Sequence, residues 1–401
     1  MIEHSSLTWY YVIVKRKGRV IMDKYTRHKK VWRVLYHIIH RPFVRLLNMS
    51  FQTCRVEGPC IVIPNHVTAI DPLMVAMSFP DKQMYFVASE HLFRKGFISA
   101  LLNWLVEPIP RRKASSGVDS VMAILRHLRA GHSVCLFAEG EATWNGRSGS
   151  IFPATGKMVQ RSGATLITYR LEGAYLTDPR WSSTLHRGRI YGHPVGIYPP
   201  ETLKGMTPKE IDELINGDIY EDAWERQKTE HVRFKGRRRA EFIETALFMC
   251  PKCGCIGTLK GRGDRLSCSC GMSLEYTEEG SFQPPQPFEN IAQWDDWQHE
   301  QLKEGSFPHE GETLFSDGDM SLVEIGEGHR QLKLGRGELR QYPQRISCAG
   351  HDFELADITD MAMVQTGVLL FSHGGKYYEI RTKRPCCLRK YLAVWKNSHL
   401  G

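Results

Sequence analysis

A histidine and an aspartate five positions apart are the residues of this chain best suited to general-base chemistry. His66 and Asp71 lie in the segment 64–72, directly after the apolar run 60–64. An imidazole titrates near neutrality, and a neighbouring carboxylate can fix its tautomer. Residues five apart diverge by about 140° on a continuous helix, so the pair can meet only if His66 lies in a loop and a helix begins near Thr68. On the spacing alone, a surface histidine beside an unrelated aspartate at a helix start is the simpler interpretation.

Four of the eleven cysteines are spaced like the ligands of a structural zinc ion. Cys250 and Cys253 form one close pair and Cys268 and Cys270 form a second, with fourteen residues between the pairs. Four thiolates on two tight turns suit tetrahedral Zn²⁺ and leave no open position for water. The segment resembles a zinc ribbon, with four free cysteines as the alternative. Metal-ligand spacing also favours a reducing compartment, so the chain is expected to be cytoplasmic.

The charge of the chain favours acidic partners. Its 401 residues carry a net charge of +9, with a pI near 8.9. A chain of this length exceeds one compact core and is expected to hold roughly two or three domains. A basic balance suits anionic lipid surfaces, nucleic acid, or phosphorylated and CoA-like substrates. No stretch reaches the ~18–20 apolar residues of a spanning helix, and no secretory signal is evident.

Residues 51–245 are predicted to form an α/β domain with a mainly parallel sheet flanked by helices, because short apolar runs alternate with helical patterns. The strand candidates are 60–64, 84–88, 133–138, 164–170 and 189–198. A helix is predicted over 118–130, capped by Ser115 or Ser116 and ended by Gly131. Its predicted apolar face is Val118, Val121, Met122, Leu125 and Leu128.

The remainder of the chain divides by composition. Residues 246–282 hold the cysteine pairs and are assigned to the zinc ribbon. The proline-rich run that starts at Gln283 predicts a linker over 283–310, because such runs resist packing. Short β-like runs broken by Gly, Asp and Pro predict a small β-rich domain over 311–401. That region has a loose, pattern-level resemblance to pleckstrin-homology modules.

Three ordered motifs within residues 36–200 are similar to those of the 1-acylglycerol-3-phosphate acyltransferases, a family of lysophospholipid or glycerolipid acyltransferases. The first motif is Asn65-His66 with Asp71, after an apolar strand. The second is the segment 106–113, and the third is the segment 136–140. The resemblance covers about half the chain, and the order and spacing of the motifs make it specific.

The resemblance implies direct acyl transfer. His66 would remove the proton from an acceptor hydroxyl, which then attacks an acyl thioester, either acyl-CoA or acyl carrier protein. Asp71 would orient the imidazole and stabilise its cationic form. Arg111, with Arg112 or Lys113 as alternates, would hold the phosphate of a lysophospholipid acceptor. A solvated basic loop is the alternative for these three residues.

The remaining motif residues are expected to belong to the acceptor pocket. Asn65 is counted with the substrate-binding residues because it precedes the histidine of the first motif. Glu139 and Gly140 would shape the acceptor pocket, and an ordinary exit from a strand into a loop is the alternative for both.

The third motif departs from the family at its end. The usual form is Phe-Pro-Glu-Gly-Thr-Arg, whereas Glu141 and Ala142 follow the glycine here, so the arginine is missing. Either Glu141 points away and Arg147 supplies the charge from a turn that folds back, or the acceptor carries no phosphate there. The first option is the one we expect.

The N-terminal segment 1–50 is predicted to face a membrane. Residues 24–48 mix Lys and Arg with Trp, Leu and Ile, and Pro42 is expected to break or bend this stretch into two helices. A basic amphipathic helix suits the headgroup region of an anionic membrane, and a core-packing helix with a solvated charged side is the alternative. The expected location is therefore peripheral, on the inner face of the membrane.

Two rival functions belong to other classes. A zinc ribbon beside the basic run 226–239 is compatible with a nucleic-acid-binding protein, although that hypothesis leaves the three ordered motifs unexplained. A catalytically inactive, lipid-binding relative would keep the same motifs.

Overall fold

A seven-stranded sheet forms the centre of residues 46–198. In the computed structural model, residues 24–89, 104–111, 117–285, 287–304, 312–326 and 330–400 are described. The strands of the central sheet are β1 (Met49–Phe51), β2 (Cys60–Pro64), β3 (Met84–Ser89), β4 (Ile109–Arg111), β5 (Ser133–Cys135), β6 (Thr165–Glu172) and β7 (Ile190–Tyr198). Their order is β1-β7-β6-β2-β5-β3-β4, and every neighbouring pair is parallel except β6 with β7. The predicted α/β class with a mainly parallel sheet is confirmed.

Helices flank this sheet. They are α1 (Lys24–Leu47), α2 (Asp71–Met77), α3 (Val118–Arg129), α4 (Thr155–Ser162), α5 (Pro200–Lys204), α6 (Pro208–Ile219) and α7 (Ala223–Glu230). α1 continues through Pro42, so the expected break there is absent. α2 begins at Asp71 rather than near Thr68, because the backbone before it wraps around the Asp71 carboxylate.

The predicted face of α3 needs a correction. Leu125 and Leu128 are buried, but Val118, Val121 and Met122 are exposed. The buried stripe runs through Ser120, Ile124 and Leu128, which lie four residues apart on adjacent turns. The predicted face omitted Ile124. The side of α3 that packs against the sheet is therefore the one that carries Ser120, Ile124 and Leu128. The candidate caps Ser115 and Ser116 lie outside the described residues.

The parallel order of the strands positions the functional loops. All five residues of β2 are buried, as is typical of a central strand covered by helices on both faces. β2 and β5 are paired in register, with Val62 opposite Cys135. Because parallel strands end at the same edge of a sheet, the segments that follow Pro64 and Cys135 emerge side by side.

Two further sheets follow along the chain. The cysteine region forms a four-stranded antiparallel sheet in the order β11-β10-β9-β8. These strands are β8 (Leu259–Arg262), β9 (Arg265–Cys268), β10 (Ser273–Tyr276) and β11 (Phe282–Gln283). Short 3-10 turns occur at Ile243–Thr245 and Leu355–Asp357.

The β-rich region forms a seven-stranded antiparallel sheet in the order β15-β14-β13-β12-β18-β17-β16. Its elements are β12 (Phe315–Ile325), β13 (Gln331–Gln341), β14 (Arg345–Cys348), β15 (His351–Glu354), β16 (Ile358–Val364), β17 (Val368–His373) and β18 (Lys376–Arg381). The small β-rich region is thus confirmed, and its likeness to pleckstrin-homology modules stays a prediction.

The predicted linker 283–310 contains a packed helix. Helix α8 (Ile291–Glu304) buries Trp294 completely, and the Trp294 indole donates to the carbonyl of Met249 at 2.9 Å. The amide of Gln298 donates to the carbonyl of Ala246 at 3.1 Å. The linker prediction is therefore wrong for 291–304, because its bulky aromatic residues complete a core shared with the zinc-ribbon region. The last described helix is α9 (Arg389–Leu400). In the described part of the chain, no helix combines the length and the apolar character that a membrane-spanning segment needs.

Candidate active site

The structure brings His66 and Asp71 into direct contact. Nδ1 of His66 lies 2.8 Å from Oδ2 of Asp71, although the residues are five apart in sequence. Because an ionised carboxylate only accepts hydrogen bonds, Nδ1 carries the proton and Nε2 presents its lone pair. The Asp71 side chain is fully buried, whereas the His66 side chain is 21% exposed. A molecule arriving from solvent can therefore reach the imidazole but not the carboxylate.

The loop before α2 fixes the Asp71 carboxylate. Oδ2 accepts from the backbone N–H of Val67 at 2.6 Å, and Oδ1 accepts from the N–H of Thr68 at 2.9 Å. The Thr68 hydroxyl donates to the same Oδ1 at 2.7 Å. These bonds satisfy a buried charge and prevent the carboxylate from rotating away from the imidazole. The ring of His66 also packs on Phe137, with centroids 4.4 Å apart.

Glu139 ties the histidine loop to the turn that follows β5. One carboxylate oxygen accepts from the backbone N–H of His66 at 2.6 Å, and the other accepts from the N–H of Gly149 at 2.5 Å. Burial raises the pKa of Glu139 to about 8, even though both backbone donors favour the charged form. The sequence predicts that Glu139 shapes the acceptor pocket. In the structure, its carboxylate instead holds the backbone of His66.

Gly140 and Arg111 contact the same aromatic ring. Gly140 has φ +81, and a Cβ built there would lie 2.2 Å from Cε2 of Phe152. The guanidinium carbon of Arg111 lies 3.9 Å from the centroid of the Phe152 ring. Burial lowers the pKa of Arg111, and the charge of Asp360 opposes that effect. Among the described residues, none forms an ion pair with Arg111, and its predicted alternates Arg112 and Lys113 lie outside the described residues.

Arg180 occupies the neighbourhood in which the family's third motif has its arginine. Its Nη1 donates to Oε2 of Glu141 and to the carbonyl of Ala142, both at 2.9 Å. The guanidinium carbon lies 3.8 Å from the centroid of the Trp144 ring. Sequence reasoning missed Arg180, because it reaches Glu141 across 39 positions of sequence and no motif links the two. The charge of Glu141 is therefore neutralised by an arginine from a distant loop.

Two predicted substrate-binding residues are engaged elsewhere. Nε of Arg147 donates to Asp222 at 3.1 Å, and its Nη1 donates to Asp296 at 2.5 Å. The expectation that Arg147 supplies a phosphate-binding charge is thus corrected, because two carboxylates already neutralise it. The Asn65 side chain donates to the carbonyl of Leu171 at 3.0 Å and accepts from the N–H of Leu171 at 2.7 Å. Asn65 therefore fastens the histidine loop to β6 rather than facing a substrate.

Asp178 is a further half-buried acid that sequence reasoning did not identify. Burial raises the pKa of Asp178 to about 6, and the negative charge of Asp71 raises it further in the same direction. No motif marks this position, which lies in the loop after β6.

The four predicted zinc ligands form one cluster. The sulfurs of Cys250 and Cys270 are 3.8 Å apart, as are those of Cys253 and Cys268, and all four lie within 4.8 Å of one another. A tetrahedron with Zn–S bonds of ~2.3 Å has edges of about 3.8 Å, so the geometry fits the ion. Cys255, the spare cysteine, is outside the cluster and contacts the carbonyl of Cys253. A cysteine cluster that can bind a metal is thus present, on turns that flank β8 and β9.

Comparison with known proteins identifies a family for the part of the chain that contains this pair. The Acyltransferase family model matches residues 46–172, the span that contains His66, Asp71, Arg111, Glu139 and Gly140. The chain is also similar to the crystal structure of the 1-acyl-sn-glycerophosphate (LPA) acyltransferase PlsC from Thermotoga maritima. That match has 16% identity, covers 53% of this chain and 85% of that chain, and has a TM-score of 0.41. The assignment rests on the family match, by which residues 46–172 form an acyltransferase domain and the chain is an acyltransferase.

Proposed function

We propose that this acyltransferase moves a fatty acyl group from a thioester donor, acyl-CoA or acyl carrier protein, to a hydroxyl of a lysophospholipid. His66 is the general base and Asp71 is the residue that orients it. The observation that carries the proposal is the 2.8 Å contact between His66 Nδ1 and the buried Asp71 carboxylate, inside the segment that matches the family.

The reaction follows from the tautomer of His66. Nε2 takes the proton of the acceptor hydroxyl as its oxygen attacks the thioester carbonyl, and Asp71 stabilises the imidazolium. The tetrahedral intermediate collapses with loss of the thiolate, to which His66 returns the proton. The products are the acylated lipid and the free thiol, and no acyl-enzyme is required. Removing a general base typically costs ~10²–10⁴-fold in rate.

Arg111 is the best-supported contact for an acceptor phosphate, as in 1-acylglycerol 3-phosphate. Its guanidinium is oriented by stacking on Phe152 and is left without an ion pair among the described residues. A partly desolvated guanidinium forms strong charge-assisted bonds with a phosphate. Arg147 and Arg180, by contrast, are already bonded to carboxylates.

The exposed face of α1 supports membrane attachment. Val34, Ile38 and Leu46 are 59%, 63% and 64% exposed, and successive members of this set are four and eight residues apart on the helix. Exposed Arg33 and Arg41 flank this apolar line. The opposite side anchors α1 to the protein, because buried Trp32 donates to the carbonyl of Phe79 at 3.2 Å. Each of the two hypotheses for this helix thus has support on one face, and the location that we propose is peripheral, on the inner face of an anionic membrane.

We further propose that the cysteine cluster holds one structural Zn²⁺. The ion would join the turns that flank β8 and β9 and would leave no coordination position for a substrate. The rival nucleic-acid function loses support from its basic run, because Arg226, Arg233 and Arg239 are paired with carboxylates within the protein.

A single product analysis tests the reaction. The purified protein is incubated with lysolipids of matched acyl chain, with phosphorylated, zwitterionic or neutral headgroups, and with acyl-CoA or acyl carrier protein as donor. Mass spectrometry should show a diacyl product for at least one pair, and none with His66→Ala. If a folded wild-type protein yields no product with any pair while binding the lipids, it is an inactive lipid-binding relative. Tight, salt-sensitive binding to duplex DNA without vesicle binding would instead favour the nucleic-acid hypothesis.

A further inference from the structure

The turn formed by residues 143–147, which follows the third motif, holds the backbone of His66. The backbone N–H of Thr143 donates to the carbonyl of His66 at 2.9 Å. Glu139 accepts from the N–H of the same histidine, so both backbone groups of His66 are bound by the segment 139–147. The Thr143 hydroxyl closes the turn, because it donates to the carbonyl of Arg147 at 2.6 Å and accepts from the N–H of Gly146 at 3.1 Å. A displacement of this turn therefore displaces the histidine.

Two helices that lie outside the family match hold this turn in place. The side-chain amide of Asn145 donates to Oδ2 of Asp295, on α8, at 3.0 Å. Nη1 and Nη2 of Arg389, the first residue of α9, donate to the two oxygens of that carboxylate at 2.8 and 3.0 Å. The guanidinium carbon of Arg389 also lies 4.9 Å from the centroid of the Trp144 ring. One ion pair of the C-terminal region therefore contacts two consecutive residues of the turn.

This ion pair is well suited to hold the turn without moving. Asp295 and Trp144 are 3% and 6% exposed, and the Arg389 side chain is 11% exposed. A bidentate arginine–carboxylate pair fixes the relative orientation of its two groups, and the guanidinium gains further from an aromatic ring nearby. A general base in turn requires support that places its atoms to within about 0.5 Å.

We propose that Asp295 and Arg389 are positioning residues for acyl transfer, which hold the turn 143–147 and, through it, the loop of His66. The inference rests on the proposed function, which makes His66 the general base. The family match ends at residue 172, so both residues lie in the part of the chain that it does not cover. Acyl transfer by this chain therefore depends on helices α8 and α9 as well as on the acyltransferase domain.

The first test compares Arg389→Met with Lys390→Met in the full-length protein. Lys390 is the adjacent residue, is 1% exposed, and forms its ion pair with Asp317 of β12 at 2.7 Å. Both variants leave a buried carboxylate without its cation, so both should lower the melting temperature. Only Arg389→Met should lower kcat, by about 10- to 100-fold with the KM of both substrates unchanged, because a misplaced base slows the chemical step. An equal loss of kcat in the two folded variants would overturn the proposal, since lost stability would then explain both.

A double variant tests whether the effect passes through His66. Arg389→Met is added to His66→Ala, and residual product is quantified by mass spectrometry. A residue that acts only by placing the base should cause little further loss once the base is gone. The same fold-loss in both backgrounds would overturn the proposal, because Arg389 would then act on something other than His66.

Asn145→Asp provides a second variant that leaves the pair of Asp295 and Arg389 in place. It keeps the Oδ1 atom that accepts from the N–H of Arg147 at 3.1 Å, and it sets a second carboxylate against Asp295. The repulsion should push the turn away from α8 and lower kcat in the same way. This variant decides the question if Arg389→Met does not fold.

Hydrogen exchange, measured by mass spectrometry on wild type and Asn145→Asp, needs no turnover. Peptides that cover 64–72 should exchange faster in the variant, whereas those that cover 250–270 should not change. Unchanged exchange at 64–72 overturns the proposal, and so does faster exchange with an unchanged kcat. If wild type forms no product with any substrate pair, faster exchange at 64–72 still shows that the turn holds the loop, and it is the proposed function that has failed.

Discussion

The backbone N–H of His66 donates to the Glu139 carboxylate at 2.6 Å, across 73 positions of sequence. The same carboxylate binds the N–H of Gly149, so the first and third motifs share one half-buried acid. Asp71 orients the imidazole ring from one side, and Glu139 holds its backbone from the other. A general base in a loop is thereby held both at its ring and at its backbone.

His66→Ala should reduce acyl transfer by ~10²–10⁴-fold, because the general base is lost. Asp71→Asn should also lose most of the activity, since an amide cannot compensate an imidazolium. His351→Ala, at an exposed position on β15, serves as the control and should retain full activity. Initial rates on folded proteins, checked by circular dichroism, give the comparison. Activity of His66→Ala within a few-fold of wild type would contradict the assignment.

Gly140→Ala should be far more damaging than Gly131→Ala. The two glycines have nearly the same left-handed backbone, with φ +81 and +80, so the conformational cost of alanine is similar, ~1–2 kcal/mol. At Gly131 nothing lies within 4 Å of an added Cβ, whereas at Gly140 the Phe152 ring lies 2.2 Å away. Displacing that ring also moves the stacked Arg111.

We therefore expect Gly140→Ala to raise the KM for a phosphorylated acceptor, measured by steady-state kinetics, and Gly131→Ala to leave it unchanged. Equal effects of the two substitutions on this KM would show that backbone strain alone matters and that the ring does not position Arg111.

Glu139→Gln should change how stability depends on pH. The folded-state pKa of Glu139, about 8, lies above the ordinary value of 4.5, so between these values the folded state binds more protons than the unfolded state. The contribution of this group to the free energy of unfolding is fully present below pH 4.5 and is lost as the pH rises through 8. Urea unfolding at pH 5, 7 and 8.5 should show the advantage of wild type over Glu139→Gln shrinking steadily. A difference that stays constant over this range would mean that Glu139 is charged throughout.

Protein purified without added metal should contain one zinc ion per chain. Cys253→Ser removes a ligand and should lower both the zinc content and the melting temperature, because metal binding is coupled to folding of the ribbon. The exposed neighbour Cys255 lies outside the cluster, so Cys255→Ser should retain the metal. Atomic absorption and thermal melts measure both quantities. Equal zinc content in the two variants would place the metal elsewhere.

Replacing Val34, Ile38 and Leu46 with serine should weaken binding to anionic vesicles at least tenfold. Each aliphatic side chain that is buried in the membrane contributes ~1.5–3 kcal/mol to the free energy of binding. Flotation with vesicles of mixed neutral and anionic lipid, repeated at rising salt, measures the effect. The control replaces three exposed apolar residues outside α1, Val195, Ile197 and Leu332. Unchanged flotation of the α1 variant would move the membrane contact to another surface.

The amino-acid sequence alone determined the features that depend on near neighbours. His66 and Asp71 are only five positions apart, so the sequence could state the condition for their contact, a histidine in a loop just before a helix start. The zinc cluster likewise follows from two short cysteine turns, each of which sets its own geometry. The buried strand 60–64 is evident from its continuous apolar run, because a strand covered on both faces carries no polar side.

Only the tertiary structure decided which distant charges meet. The sequence indicates no partner for Arg147, but in the structure it forms ion pairs with Asp222 and Asp296. Glu141 likewise forms an ion pair with Arg180. Helix α8 within the predicted linker, and the hydrogen bond of Arg180 to the carbonyl of Gln365, depend on how the sheets pack together. The energy of an ion pair depends on distance and burial in space, and residues far apart in sequence acquire both only when the chain is folded.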